Sequence, residues 1–214
     1  MRTTLFLIAT MVVATSSLQS QSTHQLPFAS QDNRIELAVA NMGEVPMTSI
    51  SVVATNIPPW LEFSARQATI TSLPARGELP ALFSFNVDKS APVGTSHTLT
   101  FLIKSSSGEI WSKEIAVSVS APMTFELFQN YPNPFNPSTT ISYQLPEPAR
   151  VSLSIFNLLG QLVDRPVESD QNAGYHEFTW NAERYASGVY LYELESTTRS
   201  ANKQVARRTM LLLK

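Results

Sequence analysis

The residue types that most often carry chemistry are few and scattered in this sequence. His24, His97 and His176 stand far apart, and none has a Cys, Asp or Glu at a spacing used by zinc sites. Asp32 and Asp88 lack the neighbours of a calcium loop or a paired-carboxylate site. No Gly-rich phosphate loop and no Gly-x-Ser-x-Gly elbow occurs. Serines are plentiful, but a serine becomes a nucleophile only beside a base and an oxyanion site. Cysteine is absent, which excludes a disulfide scaffold, a thiolate metal site, a cysteine nucleophile and a lipid-modified cysteine. The expectation is a protein that is not an enzyme, with no catalytic residues, no cofactor and no metal. Two features remain for binding. Trp60 and Trp111 could stack on sugar rings. The plainer reading makes them core, since Trp60 sits beside Leu61 and Phe63, and Trp111 shares parity with Ile115 and Val117. Beyond Glu195 no acid occurs, while Arg199, Lys203, Arg207, Arg208 and Lys214 are cationic. That stretch is either a solvated loop and strand edge or a contact for an acidic partner. The formal net charge of −2 gives no global field for nucleic acid.

The elements that must position these residues are strands. Hydrophobic residues make up 43% of the chain, enough to build packed cores and too many for wholesale disorder. Residues 1–22 have the order of a signal peptide: Arg2, an apolar run from Leu5 to Val13, then small and polar residues. That apolar run is too short to span a bilayer. Residues 27–120 read as one all-β domain. Ile35, Leu37 and Val39 alternate, then Ile50 and Val52. Trp60, Leu61 and Phe63 follow, then residues 68–70. Phe83, Phe85 and Val87 share a face, as do Leu99, Phe101 and Ile103, and finally Ile115, Val117 and Val119. About seven short strands with turn signals between them predict an Ig-like β-sandwich.

Residues 121–124 read as a linker and residues 125–214 as a second β-sandwich. Three X-Pro steps in Gln129-Asn130-Tyr131-Pro132-Asn133-Pro134-Phe135-Asn136-Pro137 predict a stiff, extended entry ribbon, because each Pro fixes its φ and pushes its predecessor towards extended backbone. Ile141, Tyr143 and Leu145 then alternate, as do Val151, Leu153 and Ile155. Asn157-Leu158-Leu159-Gly160 and Asn172-Ala173-Gly174 turn the chain, and Phe178 with Trp180 follows on one face. Ser187-Gly188-Val189-Tyr190 opens another strand, and an apolar run ending at Lys214 closes the last one. The polar residues 196–205 predict a long hairpin loop.

In order and along its full length, this second domain resembles the C-terminal sorting domain of the type IX secretion system (type A, the Por secretion system). The residues that carry the resemblance are Asn130, Tyr131, Pro132, Asn133, Pro134, Phe135, Asn136, Pro137, Gly160, Gly174, Trp180, Gly188, Tyr190 and Lys214. The resemblance implies a β-sandwich, recognition by an outer-membrane translocon, and removal by a cell-surface sorting peptidase. In some members it also implies attachment to lipopolysaccharide. In residues 27–120, the stretches Leu37 to Glu44, Ile57-Pro58-Pro59-Trp60-Leu61 and Ala91-Pro92-Val93-Gly94-Thr95 are similar to bacterial Ig-like domains associated with alpha-galactosidases. The expectation from both is an exported protein, secreted or held on the outer face of the outer membrane. It would carry a structural or adhesive Ig-like passenger. The alternatives are an accessory module that binds surface carbohydrate, or a remnant of a longer secreted glycoside-active enzyme.

Overall fold

The computed structural model describes residues 23–214 and the backbone of Thr4–Leu7. The signal-peptide reading of residues 1–22 lies outside the described residues, apart from that short strand. Among the described residues every regular element is a strand. In chain order these are β1 Thr4–Leu7, β2 His24–Leu26, β3 Asn33–Ala40, β4 Met47–Thr55, β5 Leu61–Phe63, β6 Gln67–Leu73, β7 Glu78–Val87, β8 Ser96–Lys104 and β9 Ile110–Val119. They continue as β10 Glu126–Leu127, β11 Ser138–Leu145, β12 Ala149–Phe156, β13 Leu162–Gln171, β14 Gly174–Asn181, β15 Gly188–Thr198 and β16 Lys203–Leu212. The chain divides into two compact units, Met1–Ser120 and Ala121–Lys214.

The first unit is a β-sandwich. One sheet has the order β1-β3-β7-β5 and the other β2-β9-β8-β4-β6. Each alternating run read from the sequence forms a strand, and its apolar parity is the buried one. Ile35, Leu37 and Val39 of β3 lie against the core together with Phe83, Phe85 and Val87 of β7. The opposing sheet contributes Ile50 and Val52 of β4, Leu99, Phe101 and Ile103 of β8, and Ile115, Val117 and Val119 of β9. Phe83 and Phe101 meet with ring centroids 5.1 Å apart. A period-2 pattern buries one face of each strand, and each large apolar side chain so buried contributes about 1.5–3 kcal/mol.

The second unit is a smaller sandwich of the sheets β10-β11-β14 and β13-β12-β15-β16. Ile141, Tyr143 and Leu145 face Val151, Leu153, Ile155, Tyr192 and Leu194, all of them almost wholly buried. Two sequence expectations need correction here. Residues 196–205 are not a long loop: β15 runs to Thr198, β16 starts at Lys203, and the strands pair in register up to Thr197↔Lys203. The turn closes through Thr198 N–H donating to the Asn202 carbonyl at 3.0 Å and Ala201 N–H donating to the Thr198 carbonyl at 3.0 Å. Polar residues suit this strand pair because Glu195 and Lys203 lie on its outer face and bond to each other at 2.9 Å. The Pro-rich entry is not an extended ribbon either. It bends over residues 132–134 and 136–137, with single bridges at Tyr131↔Thr140 and Phe135↔Leu212. Side-chain hydrogen bonds close the bend, as set out below.

Candidate functional site

The chemistry-bearing types do not converge. His24 lies on β2, His97 on β8 of the first unit and His176 on β14 of the second. His97 stands edge-on to Trp60 at 5.0 Å, and its buried Nε2 has no hydrogen-bond partner. His176 stacks on Tyr143 at 5.3 Å, and its Nε2 lies 2.9 Å from the Asn172 carbonyl. Among the described residues no group of three or more His, Cys, Asp or Glu could hold a metal ion. Trp60 is 6% exposed and offers no flat face to a sugar. Trp111 is half-buried against the same core.

The residues named from the Pro-rich entry onwards do converge, at one end of the second unit. Strand registers bring together the start of β11, the end of β14, the end of β12 with the start of β13, and the start of β15 with the end of β16. The chain enters the unit at the other end, where β10 pairs Glu126 with Gln144. Asn130 is 2% exposed and organises the bend. Its Nδ2 donates to the Pro132 carbonyl at 3.0 Å and to Thr139 Oγ1 at 2.9 Å, while Thr139 Oγ1 donates to the same Pro132 carbonyl at 2.8 Å. Asn130 N–H donates to the Tyr192 hydroxyl at 2.9 Å, and that hydroxyl donates to the Phe128 carbonyl at 2.9 Å. These bonds fold the ribbon back on itself: a buried amide and buried N–H groups must find partners, and the nearest ones lie across a turn.

The bend is stitched to the last strand. Phe135 N–H donates to the Leu211 carbonyl at 3.0 Å, and Leu213 N–H donates to the Phe135 carbonyl at 2.9 Å. Leu211 N–H donates to Asn133 Oδ1 at 3.0 Å, and Gln129 Nε2 donates to the Thr209 carbonyl at 2.8 Å. Part of the open edge of β16 is therefore covered by the segment that opens the unit. Beneath it lies an aromatic cluster. Phe135 and Trp180 rings are 5.9 Å apart, Trp180 and Tyr190 5.7 Å, and Trp180 and Tyr185 5.2 Å. Trp180 Nε1 donates to Asp164 Oδ2 at 2.9 Å, and the Tyr190 hydroxyl donates to the Ala186 carbonyl at 2.7 Å. Pro137 accepts from Ala182 N–H at 2.9 Å. Gly188 pairs with Leu212, Lys214 N–H donates to Ser187 Oγ at 3.1 Å, and Lys214 Nζ donates to the Glu183 carbonyl. Gly160 closes its turn with φ 76, while Asn157 Oδ1 accepts from Leu159 and Gln161 N–H.

Of the residues named from the sequence, Gly174 alone lies at the opposite end, paired with Leu145. The others divide by exposure. Asn130, Phe135, Trp180 and Tyr190 are buried, whereas Tyr131 is 82% exposed and Pro132, Asn133, Pro134 and Asn136 also face solvent. Sequence reasoning missed Tyr192, Thr139 and Asp164, which complete the buried hydrogen bonds. A lone Asp after Leu162-Val163 gives no signal of its own. Burial pushes the Tyr143 phenol up to about 12. It also raises Tyr192, against the opposing influence of the Asn130 N–H and Arg208. The cationic stretch is largely answered within the unit: Lys203 pairs with Glu195, Arg207 with Glu193, and Arg208 Nε donates to the Leu127 carbonyl.

Residues 129–207 match the family model of the secretion system C-terminal sorting domain. The second unit carries a type IX sorting domain. A domain of this kind implies export by the type IX machinery to the cell surface or the medium, and interaction with that machinery. The match takes in the bend, the aromatic cluster and the first half of β16. No curated protein matches the sequence. Among solved structures, the chain is similar to dimeric latent PorU from Porphyromonas gingivalis, at 13% identity and a TM-score of 0.36, over 92% of this chain and 19% of that one. It is also similar to the Pseudomonas aeruginosa CupB2 chaperone, at 11% identity and a TM-score of 0.30, over 88% of this chain and 98% of that one. A third likeness is to a tetra-tandem repeat from the extending region of a large adhesion protein, at 14% identity and a TM-score of 0.34, over 84% of this chain and 49% of that one.

Proposed function

We propose that the chain is a non-catalytic exported protein in which the sorting domain delivers an Ig-like structural or adhesive module to the cell surface. The observation that carries this reading is the stitched end of the sorting domain. The Pro-rich entry and the last strand, far apart in sequence, form one hydrogen-bonded surface there. A translocon that reads a folded sandwich needs such a composite epitope, because neither segment alone has a fixed shape. Exposed Tyr131, Pro132 and Pro134 supply its outer face, and Asn130, Phe135 and Tyr192 hold them in place. The first unit fits the passenger role through an apolar core of its own. Burial of Trp60 removes one of the two rings on which a carbohydrate-stacking role would rest.

The experiment is fractionation of a host that has type IX machinery. A fluorescent passenger fused ahead of Phe125 should reach the surface. The same fusion lacking residues 210–214 should accumulate in the periplasm. That deletion also removes core residues Met210 and Leu212, so Tyr131→Ala, at an exposed position, separates loss of recognition from loss of fold. It should lower surface delivery while keeping the domain resistant to protease. Normal delivery of the truncated fusion, or of a passenger with no domain, overturns the reading.

A further inference from the structure

The first unit contains a cavity of about 410 Å³ at the end of the sandwich where β3 leaves its sheet and β4 and β9 begin. Its size falls within the range of small-molecule sites. Met47 and Ile50 of β4, Ile103 of β8 and the half-buried Trp111 of β9 line it, with Met42 and Glu109 at its rim. The wall formed by the loop after β3 is pinned. Asn41 Nδ2 donates to the Val45 carbonyl at 2.8 Å and the Pro74 carbonyl at 3.1 Å, and its Oδ1 accepts from Gly43 N–H at 3.0 Å. Asn41 N–H donates to the Gly77 carbonyl at 2.8 Å, and Arg76 N–H donates to the Gly43 carbonyl at 3.1 Å. The cavity is thus preformed, and the amide of Asn41 is already engaged within the protein.

We infer that this cavity is a binding site for a small alkyl- or aryl-ammonium group. The lining decides the chemistry. Glu109, whose Oε2 accepts from Ser107 Oγ at 3.3 Å, is the one charged residue among those lining the cavity, and an indole and two thioethers line it as well. A carboxylate attracts a cation, an indole face adds a cation–π interaction, and methionines adapt to an apolar body. A sugar would bring several hydroxyls into a cavity whose one side-chain amide is spent. A neutral hydrocarbon would gain nothing from Glu109, and an anion would be repelled by it.

The test uses the full chain, 15N-labelled with 13C-methyl methionine, titrated with benzylammonium, with benzyl alcohol as the neutral near-isostere, and with methyl glucoside. Benzylammonium should shift the Trp111 indole and the Met42 and Met47 methyl signals saturably. Glu109→Gln, an exposed isosteric change, should weaken it about tenfold while leaving benzyl alcohol binding unchanged. Trp111→Leu should abolish saturation with the amide spectrum still dispersed. The inference is overturned by absence of a saturable shift. It is equally overturned if benzyl alcohol binds as tightly as benzylammonium, if Glu109→Gln binds like the parent, or if methyl glucoside is the ligand that Trp111 reports.

Discussion

Tyr192 shows how much of the sorting domain rests on single polar atoms. Its hydroxyl accepts from Asn130 N–H and donates to the Phe128 carbonyl, both at 2.9 Å, from a fully buried ring. Tyr192→Phe keeps the packing and strands both backbone groups. A buried group left without a partner costs about 1–3 kcal/mol, so the variant should lose stability in that range in urea melts of the full chain. A change under half a kcal/mol would mean that water replaces the hydroxyl. Tyr143 offers a pH test of the same core. Its folded pKa of about 12 exceeds the ordinary phenol value of 10.0, so the folded state holds the proton where the unfolded chain loses it. Stability from this group is complete below pH 10 and falls as pH rises towards 12, by on the order of 2 kcal/mol. Tyr143→Phe should flatten that alkaline loss. An unchanged alkaline slope would assign it to other groups.

At the scale of elements, the β15–β16 hairpin shows where sequence reading stops. Residues 196–205 contain no Gly or Pro, and their polarity suggested a loop. The turn is made by Ala201 in the left-handed region at φ 59, a conformation that no sequence signal marks when the residue is alanine. Ala201→Gly should therefore stabilise the domain by on the order of 0.5–1 kcal/mol, the strain relieved less the added backbone entropy. Urea titration decides it, and a destabilised variant would place the strain elsewhere. Strand β13 was illegible for a related reason. It is an edge strand with weak alternation, and Pro166 lies inside it. Its register against β12 shifts between Leu153↔Val167 and Ile155↔Asp164, which leaves an extra residue in the strand. Edges and bulges are where Pro is tolerated in sheets, and only the neighbouring strand reveals them. The central strands were legible because burial on one face enforces period 2, as in Ile141, Tyr143 and Leu145. The candidate site was legible as a set of residues. Its assembly was not, since the bonds from Phe135 to Leu211 and Leu213 depend on tertiary closure.

For the whole molecule, the decisive fact is that two apolar clusters form without sharing a residue. One is built on Phe83, Phe85 and Phe101, the other on Tyr143, Trp180 and Tyr192. Each has its own two sheets, and the units divide between Ser120 and Ala121. On the proposed reading, in which the address is read and then removed, it should be severable without unfolding what it carried. Independent cores give that property, because stability then depends on contacts within each unit and cutting the linker takes none of them away. Calorimetry of the full chain should accordingly show two transitions. Leu194→Ala, at a position with no exposed surface, should cost about 2–5 kcal/mol and lower one transition while leaving the other in place. A fragment of residues 23–120 should melt cooperatively at the temperature of the unmoved transition. One shared transition, displaced as a whole by Leu194→Ala, would show the units to be energetically coupled and would make removal of the sorting domain destabilising for the passenger.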